Sequence, residues 1–129
     1  MDILLIEKDH LVRDMVKVGL QLFPEFTVIW GEGYAGINEL RQRSFDCVFL
    51  GVDSVQGDGM KLLRHMRSFD RATELVLMAP TRVAKELASD RTKHNVTGLL
   101  TTPIEVTEFF KLIGRMRARR AEAEAARSL

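Results

Sequence analysis

The acidic residues that follow a central apolar run are the part of this sequence best placed for chemistry. Residues 46–59 read DCVFLGVDSVQGDG, in which a run at 47–50 gives way to glycines and acids. Such runs are typical of parallel strands buried on both faces, and ligands in open α/β sheets bind beyond the carboxyl ends of those strands. Asp53 and Asp58 offer carboxylates there, whereas Gly51, directly after the run, offers only backbone. What surrounds Gly51 therefore decides the function.

Other reactive sites are not predicted. His10, His65 and His94 lie on different predicted elements without ligand spacing, which argues against a zinc site. Cys47 lies inside the apolar run with no cation beside it in sequence, so we interpret it as a buried core residue. No nucleophile elbow or Ser/His/Asp arrangement occurs either. The sequence thus predicts no enzyme activity, no metal and no cofactor.

The composition indicates one ordinary globular domain. The chain has 129 residues, of which 46% are hydrophobic and 29% charged. No apolar run approaches the roughly 20 residues of a membrane-spanning helix, and Met1 leads into Asp2 and a strand rather than a basic signal peptide. We therefore expect a cytoplasmic protein without membrane contact. The net charge of +1 argues against a general nucleic-acid surface.

Five predicted strands alternate with five predicted helices. The strands are expected at residues 3–6, 26–30, 47–50, 75–79 and 96–100, and the helices at 10–22, 34–43, 59–67, 83–93 and from 105 onward. In the first helix Leu11, Met15, Val18 and Leu22 recur at helical spacing, with Val12 and Val16 beside them. Alternation with short connections indicates a parallel sheet with helices on both faces.

The last fifteen residues differ from the rest in composition. They hold five arginines and two glutamates among alanines, all strong helix formers, and Arg120 and Glu124 form an i,i+4 pair. We divide the chain into a globular domain at residues 1–117 and a helical tail or linker at 118–129. Because Glu122 and Glu124 interrupt the positive charge, a nucleic-acid-binding arm is the less favoured interpretation.

These features together resemble the CheY-like receiver domain of two-component response regulators. The shared marks are the acidic cluster after the first strand, the Asp58-Gly59 pair seven residues beyond the third strand, and Thr102-Pro103 after the fifth. The resemblance covers about residues 1–117. It implies a doubly wound five-stranded parallel sheet of order 2-1-3-4-5 with five helices, and a role in signal transduction.

The residues that receivers use for chemistry are altered here. Receivers hold Mg²⁺ with two acids after strand one, accept a phosphoryl group on an aspartate after strand three, and use a Ser or Thr and a Lys after strands four and five. The corresponding positions are Glu7 and Lys8, Gly51, Met78 and Thr102. Glycine has no nucleophile, methionine donates no hydrogen bond and threonine carries no charge. The resemblance therefore implies a degenerate pseudo-receiver that works without phosphorylation.

Two alternatives remain open at this pocket. Asp53 is a candidate displaced acceptor, although two residues along an extended chain span about 6.6 Å. An enlarged, uncharged pocket around Gly51, Met78 and Thr102 is a candidate small-molecule site.

Lys8 allows two interpretations of its own. Its ammonium is either a built-in cation among Glu7, Asp53 and Asp9, or an exposed group whose stem alone packs on the protein.

The resemblance also indicates a partner-binding face. In receivers, helix four, strand five and helix five bind a partner or a second copy; that face is expected to carry Lys85, Leu99, Phe110, Lys111 and Arg115. Leu99 stands where receivers usually have an aromatic residue. Phe109 and Phe110 lie about 100° apart on a helix, so both do not reach the core and Phe110 is the strongest candidate. We expect a signalling protein or a homodimer here, and no direct nucleic-acid contact.

Overall fold

Strands and helices alternate five times in the computed structural model, which describes residues 1–128. The strands are β1 (Asp2–Ile6), β2 (Thr27–Trp30), β3 (Cys47–Gly51), β4 (Glu74–Pro80) and β5 (Gly98–Thr102). The helices are α1 (His10–Gln21), α2 (Gly33–Asn38, continued by a 3₁₀ turn at Glu39–Arg41), α3 (Asp58–Phe69), α4 (Thr81–Ala88) and α5 (Val106–Ser128).

The strands form one parallel sheet of order β2-β1-β3-β4-β5, which confirms the predicted order. The register places Gly51 beside Met78 and Pro80 beside Thr102. Because parallel strands all run the same way, the residues that follow their carboxyl ends meet at one edge of the sheet.

Each face of the sheet is covered by its own group of helices. Side chains such as Val48 and Leu50 pack against α2, α3 and α4, whereas Cys47 and Phe49 pack against α1 and α5. Burial on both faces explains why the central strands are continuous apolar runs. Cys47 is fully buried, and burial raises the pKa of its thiol. This agrees with its interpretation as a core residue.

Helix α1 carries two apolar stripes rather than one. Val16 and Leu20 face the sheet and are buried. The row whose spacing predicted the helix lies on the outside: Leu11, Met15, Val18 and Leu22 are all exposed.

Helix α4 and strand β5 differ from their predicted limits. The helix ends at Ala88 rather than residue 93, and β5 covers 98–102 rather than 96–100. Asn95 has a left-handed backbone with φ of 53°. The buried guanidinium of Arg67 donates to the carbonyl oxygens of His94 and Asn95, at 2.8 and 2.9 Å. Arg67 thus satisfies two carbonyl groups of the segment between α4 and β5.

Helix α5 continues without a break through residues 118–128, the segment interpreted from sequence as a helical tail or linker; Leu129 lies outside the described residues. Its arginines contact the segments that enter three strands. The ion pairs join Arg117 to Glu25 (3.1 Å), Arg119 to Glu74 (3.2 Å) and Arg120 to Asp46 (2.6 Å). Within the described part of the chain, no helix combines the length and apolar character that a membrane crossing requires. The domain boundary after residue 117 stays a prediction.

Candidate functional site

A cavity of about 470 Å³ opens where β1, β3, β4 and β5 end. Its walls include all six residues that the sequence assigned to the pocket: Glu7, Lys8, Gly51, Asp53, Met78 and Thr102. Gly51 is the last residue of β3, as the count back from Asp58 predicts. The fold therefore brings the predicted pocket residues together.

The carboxylate of Glu7 fills the space beside Gly51. A Cβ atom built on Gly51 would overlap the Oε2 atom of Glu7, so a side chain at this position requires the carboxylate to move. The N–H of Asp9 donates to Oε1 of Glu7 at 3.0 Å. Partial burial raises the pKa of Glu7, and this N–H opposes the rise. Sequence reasoning placed Glu7 in the pocket but did not predict this contact, since it joins the ends of two strands.

Lys8 pairs with Asp53 at the mouth of the cavity. Its Nζ lies 3.0 Å from Oδ2 of Asp53, and both side chains remain largely exposed. The hydrogen bond and charge of Asp53 raise the pKa of Lys8. Asp9, in contrast, caps α1 by accepting from the N–H groups of Leu11 and Val12. The structure therefore combines the two interpretations of Lys8: its ammonium is exposed, and it also neutralises Asp53.

The donor set does not fit the Mg²⁺ that receivers hold. A hard cation of this kind is bound through carboxylates and waters in a near-octahedral shell. Here the carboxylate of Asp53 is already paired with the ammonium of Lys8, and the carboxylate of Glu7 lies beside Gly51. Among residues 1–128, no group of three or more His, Cys, Asp or Glu side chains is placed to hold a metal ion.

Met78 and Thr102 add no charge to the cavity, although Asp9, Arg13, Glu32 and Asp58 also line it. Met78 is almost fully buried and has no hydrogen-bond donor. Thr102 ends β5 beside Pro80, and the Thr102-Pro103 peptide bond is cis. The expectation of an uncharged pocket is nevertheless wrong for the cavity as a whole, because Glu7 and the Lys8–Asp53 pair line it.

The residues predicted for a partner face are split between two places. Lys85, Lys111 and Arg115 are exposed, and Leu99 is half-buried against the core under α2, α3 and α4. Phe110 lies elsewhere: its ring is 6.0 Å from that of Phe23, and it lines a groove with Met15 of α1. Phe109 occupies the core, so the next residue points toward α1. The placement of Phe110 on the face of helix four and strand five is therefore wrong.

Solved structures of receiver domains share this fold. A CheY-like receiver domain protein of Methanospirillum hungatei matches with a TM-score of 0.74 and 13% identity, over 97% of each chain. The REC domain of the response regulator AraT of Geobacillus stearothermophilus gives 0.77 and 11%, over 95% of this chain and 97% of that one. NtrX of Brucella abortus gives 0.78 and 17%, over 99% of this chain and 29% of that one.

Sequence comparison adds a curated relative, although no family model matches the chain. The response regulator protein PmrA of Pseudomonas aeruginosa is 32% identical over 122 residues, or 92% of this chain and 52% of that protein. These comparisons show the fold of a CheY-like receiver domain and a sequence similarity to one response regulator. The chain spans about half the length of this relative.

Two features of the structure were missed from sequence. One is the filling of the Gly51 position by Glu7, whose only sequence signal is an acid and a glycine at the ends of two neighbouring strands. The other is the outward stripe on α1. Its signal was present, because the helix holds more apolar residues than one face can bury.

Proposed function

We propose that this receiver domain transmits signals through protein–protein contacts and is not phosphorylated. The contact between Glu7 and Gly51 carries this proposal. The position at the end of β3 has no side chain to accept a phosphoryl group, and the carboxylate of Glu7 overlaps the place where the Cβ atom of an acceptor would lie. The negative charge of an acceptor aspartate would therefore lie close to the negative charge of Glu7.

The electrostatics of the pocket also favour a silent site. Phosphoryl transfer depends on positive charges that offset the charge on the moving group. Two cations line the cavity: Lys8 is already paired with Asp53, and Arg13 is paired with Asp14. Thr102 supplies no charge, and Met78 supplies no hydrogen bond. The proposal accordingly includes no enzymatic turnover, and the expected cytoplasmic location stays a prediction.

Phosphodonor labelling tests the proposal. The purified chain is incubated with acetyl phosphate or phosphoramidate and Mg²⁺, and its intact mass is measured beside that of a phosphorylatable receiver domain as positive control. We expect the mass of this chain to stay unchanged while the control gains a phosphoryl group. A gain that disappears in Asp53→Ala would establish the alternative, a phosphotransfer switch at Asp53. A gain that disappears in Glu7→Gln would assign the acceptor to Glu7 and would equally refute the proposal.

A small-molecule sensor is the second candidate, and the size of the cavity is the observation that favours it. Its volume of about 470 Å³ falls within the range of roughly 300–1,000 Å³ that is usual for ligand pockets. The charged groups at its mouth suit a small polar ligand. Amide NMR spectra with a panel of metabolites test this. Saturable shifts at Gly51 and Thr102 would support a sensor, and no shift with any compound would count against it.

A further inference from the structure

Helix α1 and its C-cap residue Leu22 present a row of large apolar side chains to solvent. The exposed fractions are 79% for Leu11, 42% for Met15, 61% for Val18 and 65% for Leu22. An amphipathic helix on the surface of a sheet normally directs charged and polar residues outward. This α1 row, defined by these four residues, therefore requires an explanation beyond the packing of the monomer.

The α1 row borders an apolar groove between α1 and α5. The groove has a volume of about 170 Å³, and Val106 and Phe110 form its wall on α5. The helices come close because residue 19 is glycine, where an added Cβ would lie 2.7 Å from Cε2 of Phe109. Row and groove wall together expose an apolar surface on the order of 500 Å², at the upper end of what monomers show.

The spacing of the α1 row is the same in both directions. From Leu11 to Leu22 the steps are four, three and four residues, and from Leu22 to Leu11 they are again four, three and four. A two-fold axis between Met15 and Val18 therefore places each Leu11 opposite Leu22 of a second copy, and each Met15 opposite Val18. Alternating steps of three and four are the spacing of two helices packed along a seam, and a two-fold interface must be complementary to itself.

The polar residues beside the α1 row are compatible with this arrangement. Asp14 and Gln21 lie on one side of the row, and the two-fold axis brings Asp14 near Gln21 of the second copy, so no like charges meet. Arg13 pairs with Asp14 of its own chain at 3.2 Å, and its guanidinium lies 4.4 Å from the centroid of the Trp30 ring.

We infer that the α1 row binds the α1 row of a second copy, as an antiparallel pair of helices in a two-fold symmetric dimer. The exposed apolar area, on the order of 500 Å², is more than half of the roughly 800 Å² per partner that a stable interface buries, and the flanks of α1 and α5 would supply the rest. This face differs from the helix four, strand five and helix five face that the family resemblance indicates. The inference goes beyond the proposed function, because it holds whether or not the pocket is phosphorylated.

Sedimentation at several concentrations, with and without a charge in the α1 row, is the first test. We expect the chain to form a dimer, and Val18→Glu to weaken it by about 100-fold or more, since a carboxylate would be buried without a partner. Val18 is exposed, so the monomer should keep its circular dichroism spectrum. The matched control is Gln42→Glu, the same charge change at an exposed residue that follows the 3₁₀ turn after α2. A monomer at every concentration, or a dimer that Val18→Glu does not weaken, would refute the inference.

Disulfide cross-linking tests the antiparallel direction. A mixture of Leu11→Cys and Leu22→Cys chains should form a mixed disulfide, because these positions face each other. Leu11→Cys alone should not cross-link, since the two copies of residue 11 would lie about 16 Å apart along the helices. The native Cys47 is fully buried, so we expect it not to form a disulfide in this experiment. Cross-linking of Leu11→Cys with itself would indicate parallel helices, and absence of the mixed disulfide would equally overturn the arrangement.

Discussion

The cavity at the carboxyl ends of the strands and the outer face of α1 differ in how their side chains are satisfied. In the cavity, Lys8 neutralises Asp53, and Glu7 fills the space beside Gly51. On α1, Leu11 and Val18 contact water although they are apolar. At the place where receivers react, these charged side chains thus already have partners within the chain. On the outer face of α1, which is polar in most helices, large apolar side chains remain exposed. This difference directs the search for function from the pocket to the surface.

The largest expected effect separates the inner and outer sides of the α1–α5 region. Phe109→Ala should lower the free energy of unfolding by about 3–5 kcal/mol, because it empties a core position. Phe110→Ala should lower it by only about 1 kcal/mol, since its ring is 38% exposed and makes edge contacts. Urea unfolding at low protein concentration measures both. Equal losses would mean that the two sides do not differ as the structure describes.

Gly19→Ala tests how closely α1 and α5 approach. The added methyl group would press on the buried ring of Phe109, and we expect a loss of about 1–3 kcal/mol in unfolding free energy. Gly114→Ala is the matched control, because nothing lies within 4 Å of the added atom in α5. There the higher helix propensity of alanine should stabilise the protein by roughly 0.5–1 kcal/mol. The same sign for both variants would contradict the close contact at Gly19.

Glu7→Gln tests the pocket through pH. The raised pKa of Glu7 means that the folded protein holds this proton more tightly than the unfolded chain does. Wild-type stability should therefore contain a contribution that is lost as pH rises from the ordinary range of glutamate through the raised pKa. Glu7→Gln should remove that loss, so its stability relative to wild type should increase with pH. Unfolding at a series of pH values, with exposed Glu86→Gln as control, measures this difference; an unchanged difference between acidic and neutral pH would contradict the burial of Glu7.

Lys8→Ala should have the smallest effect. Its ion pair with Asp53 is solvent-exposed, and exposed pairs contribute little and are screened by salt. We expect its unfolding free energy to match that of Lys61→Ala, an exposed lysine on α3, at both low and high salt. A distinctly larger loss for Lys8→Ala would mean that the Lys8–Asp53 pair supports the cavity rather than only closing its mouth.

The architecture was predictable because its signals are local and repeated. Runs such as Val48 to Leu50 identify strands buried on both faces, and alternation with helices leaves few topologies. The limits of α4 were not predictable in this way. The segment that follows the helix is held by Arg67 of α3, which donates to the carbonyl groups of His94 and Asn95. These contacts join residues that are 27 and 28 positions apart, so local helical propensity does not reveal them.

The candidate site was predictable in membership but not in contacts. The family resemblance placed Glu7, Gly51 and Met78 in one pocket, and the cavity contains all three. That Glu7 fills the Gly51 position depends on the register of β1 against β3 and on a side-chain rotamer. Similarly, helical spacing cannot decide which of two apolar stripes faces the sheet. Only packing against Phe109 and its neighbours shows that Val16 and Leu20 do.

The three arginines of α5 have a geometric consequence. A helix that is attached at one or two points can still rotate relative to the sheet. Three separate attachments restrict that rotation. The ion pairs of α5 reach the entries of three different strands, through Arg117, Arg119 and Arg120. They therefore help to set the orientation of the helix relative to the sheet. Because exposed ion pairs weaken with ionic strength, the orientation of α5 should become less restricted in high salt while the core stays folded.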